Sequence, residues 1–144
     1  MSSPQLFYRL AARTHSTPLR DSVARDVVDL LNCALRGASL GVLSDTPVAS
    51  SVLNFGNPCM ATLGRSRVDP QQIATSIRQT LSTFEPRLLA PRTTVVARHE
   101  TDSPGSRVLY FDVHGVLRPY NHNVTIRLLL DYLGCFFDSV QERK

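Results

Sequence analysis

Glu85 and Arg87 flank Pro86 in the stretch TLSTFEPRLL, at the end of an apolar-periodic run, and place an acid and a base within reach of each other. In extended geometry residues i and i+2 leave the same side of the backbone, so the two side chains can meet. A glycosidase needs two carboxylates facing each other across a cleft, one of them protonated. The other glutamates are Glu100 and Glu142, the latter in a charged tail. A nearby arginine favours the ionised form of a carboxylate, which is wrong for a general acid. An exposed ion pair would be worth only about 0–1 kcal/mol. Phe84, Leu88 and Leu89 surround this pair with apolar groups, so a structural clamp or a latch for a neighbouring protein outweighs both catalysis and plain surface.

The remaining reactive residues form no constellation. His15, His99, His114 and His122 lie on a helix entry, two strands and a turn, with no pair at metal-ligand spacing. Cys33, Cys59 and Cys135 are odd in number and far apart, which favours a reduced cytoplasmic protein over a disulfide framework or zinc site. Cys33 sits beside an apolar helical stripe and is expected in the core. No HExxH, GxSxG, GxGxxG or phosphate-binding glycine loop occurs, and no cofactor is expected.

Composition sets the frame for these residues. In 144 residues, 42% are hydrophobic and 19% charged, values of a folded chain that fits one domain. The net charge of +4 rests almost wholly on arginine, since Lys144 is the one lysine. Arginine's planar fork suits carboxylate and phosphate equally. Asp residues interleave with the arginines along the first helix, against a nucleic-acid face. No apolar run reaches the length of an export signal or a membrane span.

The elements that position the pair follow from periodicity. Pro18 to Arg36 reads as a helix with Ser16 or Thr17 as cap, Gly37 past its end, and Leu19, Val23, Val27, Leu30, Leu31 and Ala34 along its apolar stripe. Asp21, Arg25 and Asp29 ladder its solvated face. In SVLNFGNP a short helical turn ended by Asn54, Phe55 and Gly56 packs on the core. Pro70 to Phe84 reads as a second helix, with Asp69 as cap and Ile73, Ile77, Leu81 and Phe84 on one face. Pro86 stops it at Glu85 and turns the chain extended. From Arg92 onward the period changes to 2: RTTVVARHE, RVLYFDVHGVL, NVTIRLLL and CFFDSV read as strands of an antiparallel meander. In the second of these, Leu109, Phe111, Val113 and Leu117 share one face, opposite Tyr110, Asp112 and His114. The class is α+β, two main helices packed on a small antiparallel sheet. Residues 1–15 form an arm or short helix, 16–140 one domain, and 141–144 a charged tail.

The order LFYRL, SVARDVVDLLN, SVLNFG, FEPRL, RVLYFDVHGVL and VTIRLLLD resembles the TssE family of type VI secretion baseplate proteins, related to the T-even phage baseplate wedge protein once described as lysozyme-like. The resemblance runs from about Leu6 to Asp138, and its hallmark triplet falls on Glu85, Pro86 and Arg87. It implies a non-enzymatic cytoplasmic subunit with a fold like the inner domain of sheath subunits. It also implies contact with the wedge proteins TssF, TssG and TssK, with the TssB/TssC sheath, and with the spike or hub protein. Strand donation between sheath subunits implies that an exposed sheet edge could take part. A prophage tail wedge protein is the alternative, and a peptidoglycan hydrolase, suggested by the family's old label, is a weaker one. The stretches NCALRGASLGVLSDTPVAS and DYLGCFFDSVQERK depart from the family's usual pattern.

Overall fold

The computed structural model describes residues 19–33, 46–51, 55–57, 69–98, 107–118 and 120–140. Helix α1 spans Leu19–Asn32 and α2 spans Pro70–Phe84, followed by a 3₁₀ turn at Ala90–Arg92. Strands β1 (Thr94–Arg98), β2 (Val108–Leu117), β3 (His122–Asp131) and β4 (Phe136–Ser139) then form one sheet in the order β1-β2-β3-β4. Every neighbouring pair is antiparallel, so the sheet is the expected meander and the class is α+β.

Alternation along the strands builds the core. Phe111 pairs with Leu128 and Val113 with Ile126, and all four are buried on the helix-facing side with Phe137 of β4. Val23, Val27, Leu30 and Leu31 of α1 and Ile73, Ile77 and Leu81 of α2 close over them. Leu109 packs half-buried on this cluster, and Leu117 is buried in it, as the alternation in β2 requires. The opposite face differs from a plain solvated one. Asp112 is buried there between Arg98, at 3.2 Å, and Arg127, at 3.1 Å, while His114 is exposed and bonds Thr125 Oγ1.

Helix α2 ends where its sequence signals fall. The Asp69 carboxylate accepts the Gln71 N–H at 3.0 Å, Pro70 occupies the first turn, and Glu85 is the C-cap. Helix α1 stops four residues short of the expected Arg36. The Cys33 N–H is shared between the carbonyls of Asp29 and Leu30, and the Cys33 carbonyl accepts the Asn57 N–H at 2.9 Å, which ties the end of α1 to the 55–57 segment. Cys33 is exposed rather than in the core, because this bend carries it off the apolar stripe. Leu19, at the start of the stripe, is 42% exposed. Ser16, Thr17, Pro18, Ala34 and Gly37 lie outside the described residues, as do the N-terminal arm and the charged tail.

Candidate functional site

The Glu85–Arg87 pair forms, and the backbone forms it by a turn rather than by the expected extended run. Glu85, at φ −114° and ψ 85°, has left the helical region, and its carbonyl accepts the Leu88 N–H at 3.2 Å, closing a tight turn across Pro86 and Arg87. Pro86 suits the second position of such a turn because its φ is already set. The turn folds Arg87 back on Glu85. Nε donates to Oε1 at 2.7 Å and Nη2 to Oε2 at 2.6 Å, a two-pronged pairing, while the Arg87 backbone N–H donates to Oε1 at 3.1 Å.

A third residue completes the set. Nη2 of Arg87 also lies 2.8 Å from Oδ2 of Asp26, in the middle of α1. Glu85 is 5% exposed, Arg87 14% and Asp26 26%, so the pair is largely enclosed by the fold and Asp26 is the most exposed of the three. The Glu85 hydrogen bond pushes the Arg87 guanidinium further toward its charged form, and Asp26 adds to this against the cost of burial. Sequence reasoning missed Asp26. Its one local signal is its place beside Val27, at the border of the apolar stripe.

The residues after the pair lock it to the sheet. Arg118 N–H donates to the Arg87 carbonyl at 2.8 Å, Leu89 N–H donates to the Val116 carbonyl at 3.0 Å, and Leu88 bridges Leu117. Leu88 crosses Gly115 so closely that a Cβ there would stand 3.0 Å from its Cδ2. The triplet therefore joins α2, the end of β2 and the flank of α1. Glu85 and Asp26 share one guanidinium nitrogen, so these two carboxylates do not face each other across an open cleft as a glycosidase pair does.

Phe55 and Gly56 approach the same region. The Phe55 ring meets Phe84 edge-on, with centroids 5.4 Å apart, one residue before Glu85. Gly56 has φ 144°, which a side chain would strain. Asn57, fully buried, follows it and accepts from Ser76 Oγ of α2 at 3.4 Å, so this segment ties α1 to α2. Asn54 lies outside the described residues, as do His15, His99, Cys59, Glu100 and Glu142. His114 and His122 stay apart from the pair. Among the described residues no cluster of His, Cys, Asp and Glu is placed to hold a metal ion, and no helix is long and apolar enough to cross a membrane. A groove of about 410 Å³ between α1 and the β3–β4 edge, lined by Arg20, Arg25, Arg127 and Asp138 among others, does not reach Glu85 or Arg87.

Residues 17–122 match the family model described as baseplate wedge protein gp25. The chain belongs to the gp25 baseplate wedge family. The matched stretch holds both helices, the Glu85–Arg87 turn, β1 and β2, and ends as β3 begins. In gp25 family terms the Asp26–Arg87 contact thus lies wholly inside the matched region. Among solved structures, the chain is similar to one described as a candidate tail lysozyme from Geobacter sulfurreducens, at 14% identity and a TM-score of 0.46, covering 89% of this chain and 96% of that one. No curated protein matches the chain.

Proposed function

We propose that the chain is a non-enzymatic baseplate subunit of a type VI secretion contractile apparatus, joining wedge proteins and seeding or anchoring the sheath. The observation that carries this reading is the full engagement of Glu85 by Arg87 at the helix-to-sheet junction, in a chain of the gp25 baseplate wedge family. A buried carboxylate held by both oxygens serves geometry, whereas a general acid must be free to give its proton to a substrate. The partners in this reading are TssF, TssG and TssK, the TssB/TssC sheath and the spike or hub protein, in the cytoplasm. A prophage tail wedge protein is the alternative, since both assemblies use this module.

Affinity capture of the tagged full chain from its own cells, read by mass spectrometry, tests the proposal. Co-purification of TssF, TssG and TssK is the expected result. Recovery of phage tail proteins instead would transfer the same subunit role to a prophage. Clearing of purified cell walls by the isolated protein would overturn the non-enzymatic reading.

A further inference from the structure

Two stretches of the chain hold no acid: none lies between Glu85 and Glu100, and none between Asp112 and Asp131. The fold lays them side by side. Leu88 bridges Leu117, the Leu89 N–H donates to the Val116 carbonyl, and the Arg118 N–H donates to the Arg87 carbonyl. Residues 87–89 thus run antiparallel to 116–118, where β2 enters the hairpin to β3, and Arg92 follows in the adjoining 3₁₀ turn. Within these stretches Arg87 is answered by Glu85 and Asp26, and Arg98 and Arg127 by Asp112. Arg92 and Arg118 are exposed and make no ion pair among the described residues.

The hairpin tip adds an aromatic ring to this surplus charge. Tyr120 is 73% exposed, more than any other large hydrophobic residue described, and its ring tilts against His122 with centroids 6.0 Å apart. Asn121 takes the left-handed conformation, φ 52°, that a tight turn asks of its residues. Both ends of the tip are fixed: Arg118 is bonded to the junction, and His122 pairs with Leu117. A surface held in place this way gives up little freedom when a partner binds. Tyrosine and arginine are also the side chains that contribute most at protein interfaces.

We infer that Arg92, Arg118, Tyr120 and His122 form a docking surface for a carboxylate-rich segment of a neighbouring protein. A guanidinium with no carboxylate of its own matches the two oxygens of one supplied from outside. A single-stranded nucleic acid is the poorer fit, because it needs a row of stacking rings and the tip offers one tyrosine. The inference rests on the baseplate reading in one respect, that the chain has protein neighbours; a secretion apparatus or a phage tail serves equally.

Photo-crosslinking tests it in the full chain, in its own cells. The substitution Tyr120→benzoylphenylalanine keeps an aromatic ring at the tip, and mass spectrometry of the adduct reads the neighbour's sequence. The expected adduct is with a protein segment rich in Asp and Glu. Adding Arg118→Glu should lower its yield at least roughly tenfold, and changing the identified partner acids to lysine should restore it. Arg78→Glu, the same charge change at an exposed position of α2, should leave the yield unchanged. If the urea midpoint shows Arg118→Glu misfolded, Arg92→Glu carries the same comparison. An adduct with a basic or uncharged segment or with nucleic acid overturns the inference, as does an equal loss from Arg78→Glu. Baseplate proteins captured without any Tyr120 adduct refute this surface alone, whereas capture of no baseplate protein refutes the assembly role itself.

Discussion

Replacing Arg87 by alanine removes two side-chain bonds to Glu85 and one to Asp26 and leaves the 5%-exposed Glu85 carboxylate with the residue 87 backbone N–H as its remaining donor. Breaking a buried ion pair from one side costs about 3–5 kcal/mol. The lower end, about 3 kcal/mol, applies here because Asp26 reaches water and Glu85 keeps one donor. Glu85→Ala is milder, at about 1–2 kcal/mol, since Arg87 retains Asp26 at 2.8 Å and a path to solvent. The double variant Glu85→Ala/Arg87→Ala has no orphaned carboxylate, so it is expected to be more stable than Arg87→Ala alone. Urea unfolding reads all three: with a slope of about 1.5–2 kcal/mol per molar, Arg87→Ala moves the midpoint down by about 1.5–2 M. The effect should persist at high salt, because an enclosed pair is screened little. An Arg87→Ala loss under about 1 kcal/mol, or a double variant whose loss equals the two single losses together, would refute the clamp.

Gly115→Ala drives a methyl group against Leu88 Cδ2 at 3.0 Å and Thr93 Oγ1 at 3.4 Å, displacing the segment after the turn; a loss of about 1–3 kcal/mol is expected in the same urea titration. Gly56→Ala forces a side chain onto φ 144°, with an expected cost of about 1–3 kcal/mol in thermal unfolding and weakened packing of Phe55 on Phe84.

The helices and strands were legible wherever local chemistry punctuates the chain. Asp69, Pro70 and Pro86 mark both ends of α2, and its bounds match the sequence reading. The β strands alternate strongly enough to give their faces, although Asp112, read as an outer polar residue, is covered by Arg98 and Arg127 from two neighbouring strands. Where a tertiary bond competes with a local signal, the sequence misleads. Gly37 marks a helix end in the sequence, yet α1 ends at Asn32, the Cys33 carbonyl bonds Asn57, and Cys33 is exposed. The candidate site was legible as a pair and not as a set of three. Asp26 sits among Asp21, Arg25 and Asp29, and its place beside Val27 at the border of the apolar stripe is the one local sign that sets it apart.

The three residue types of the triplet follow from what the junction requires. The helix must end abruptly, and Pro86 both disfavours its continuation and presets the turn that brings residue 87 over residue 85. The group on residue 85 must accept from a backbone N–H and from two side-chain donors at once, which takes two carboxylate oxygens. The group on residue 87 must meet both of those oxygens and still reach Asp26 on another helix. A lysine ammonium, as a compact point charge, lacks the fork that does this, whereas a guanidinium carries its donors along a rigid plane. Glu-Pro-Arg is thus accounted for by contacts within one chain.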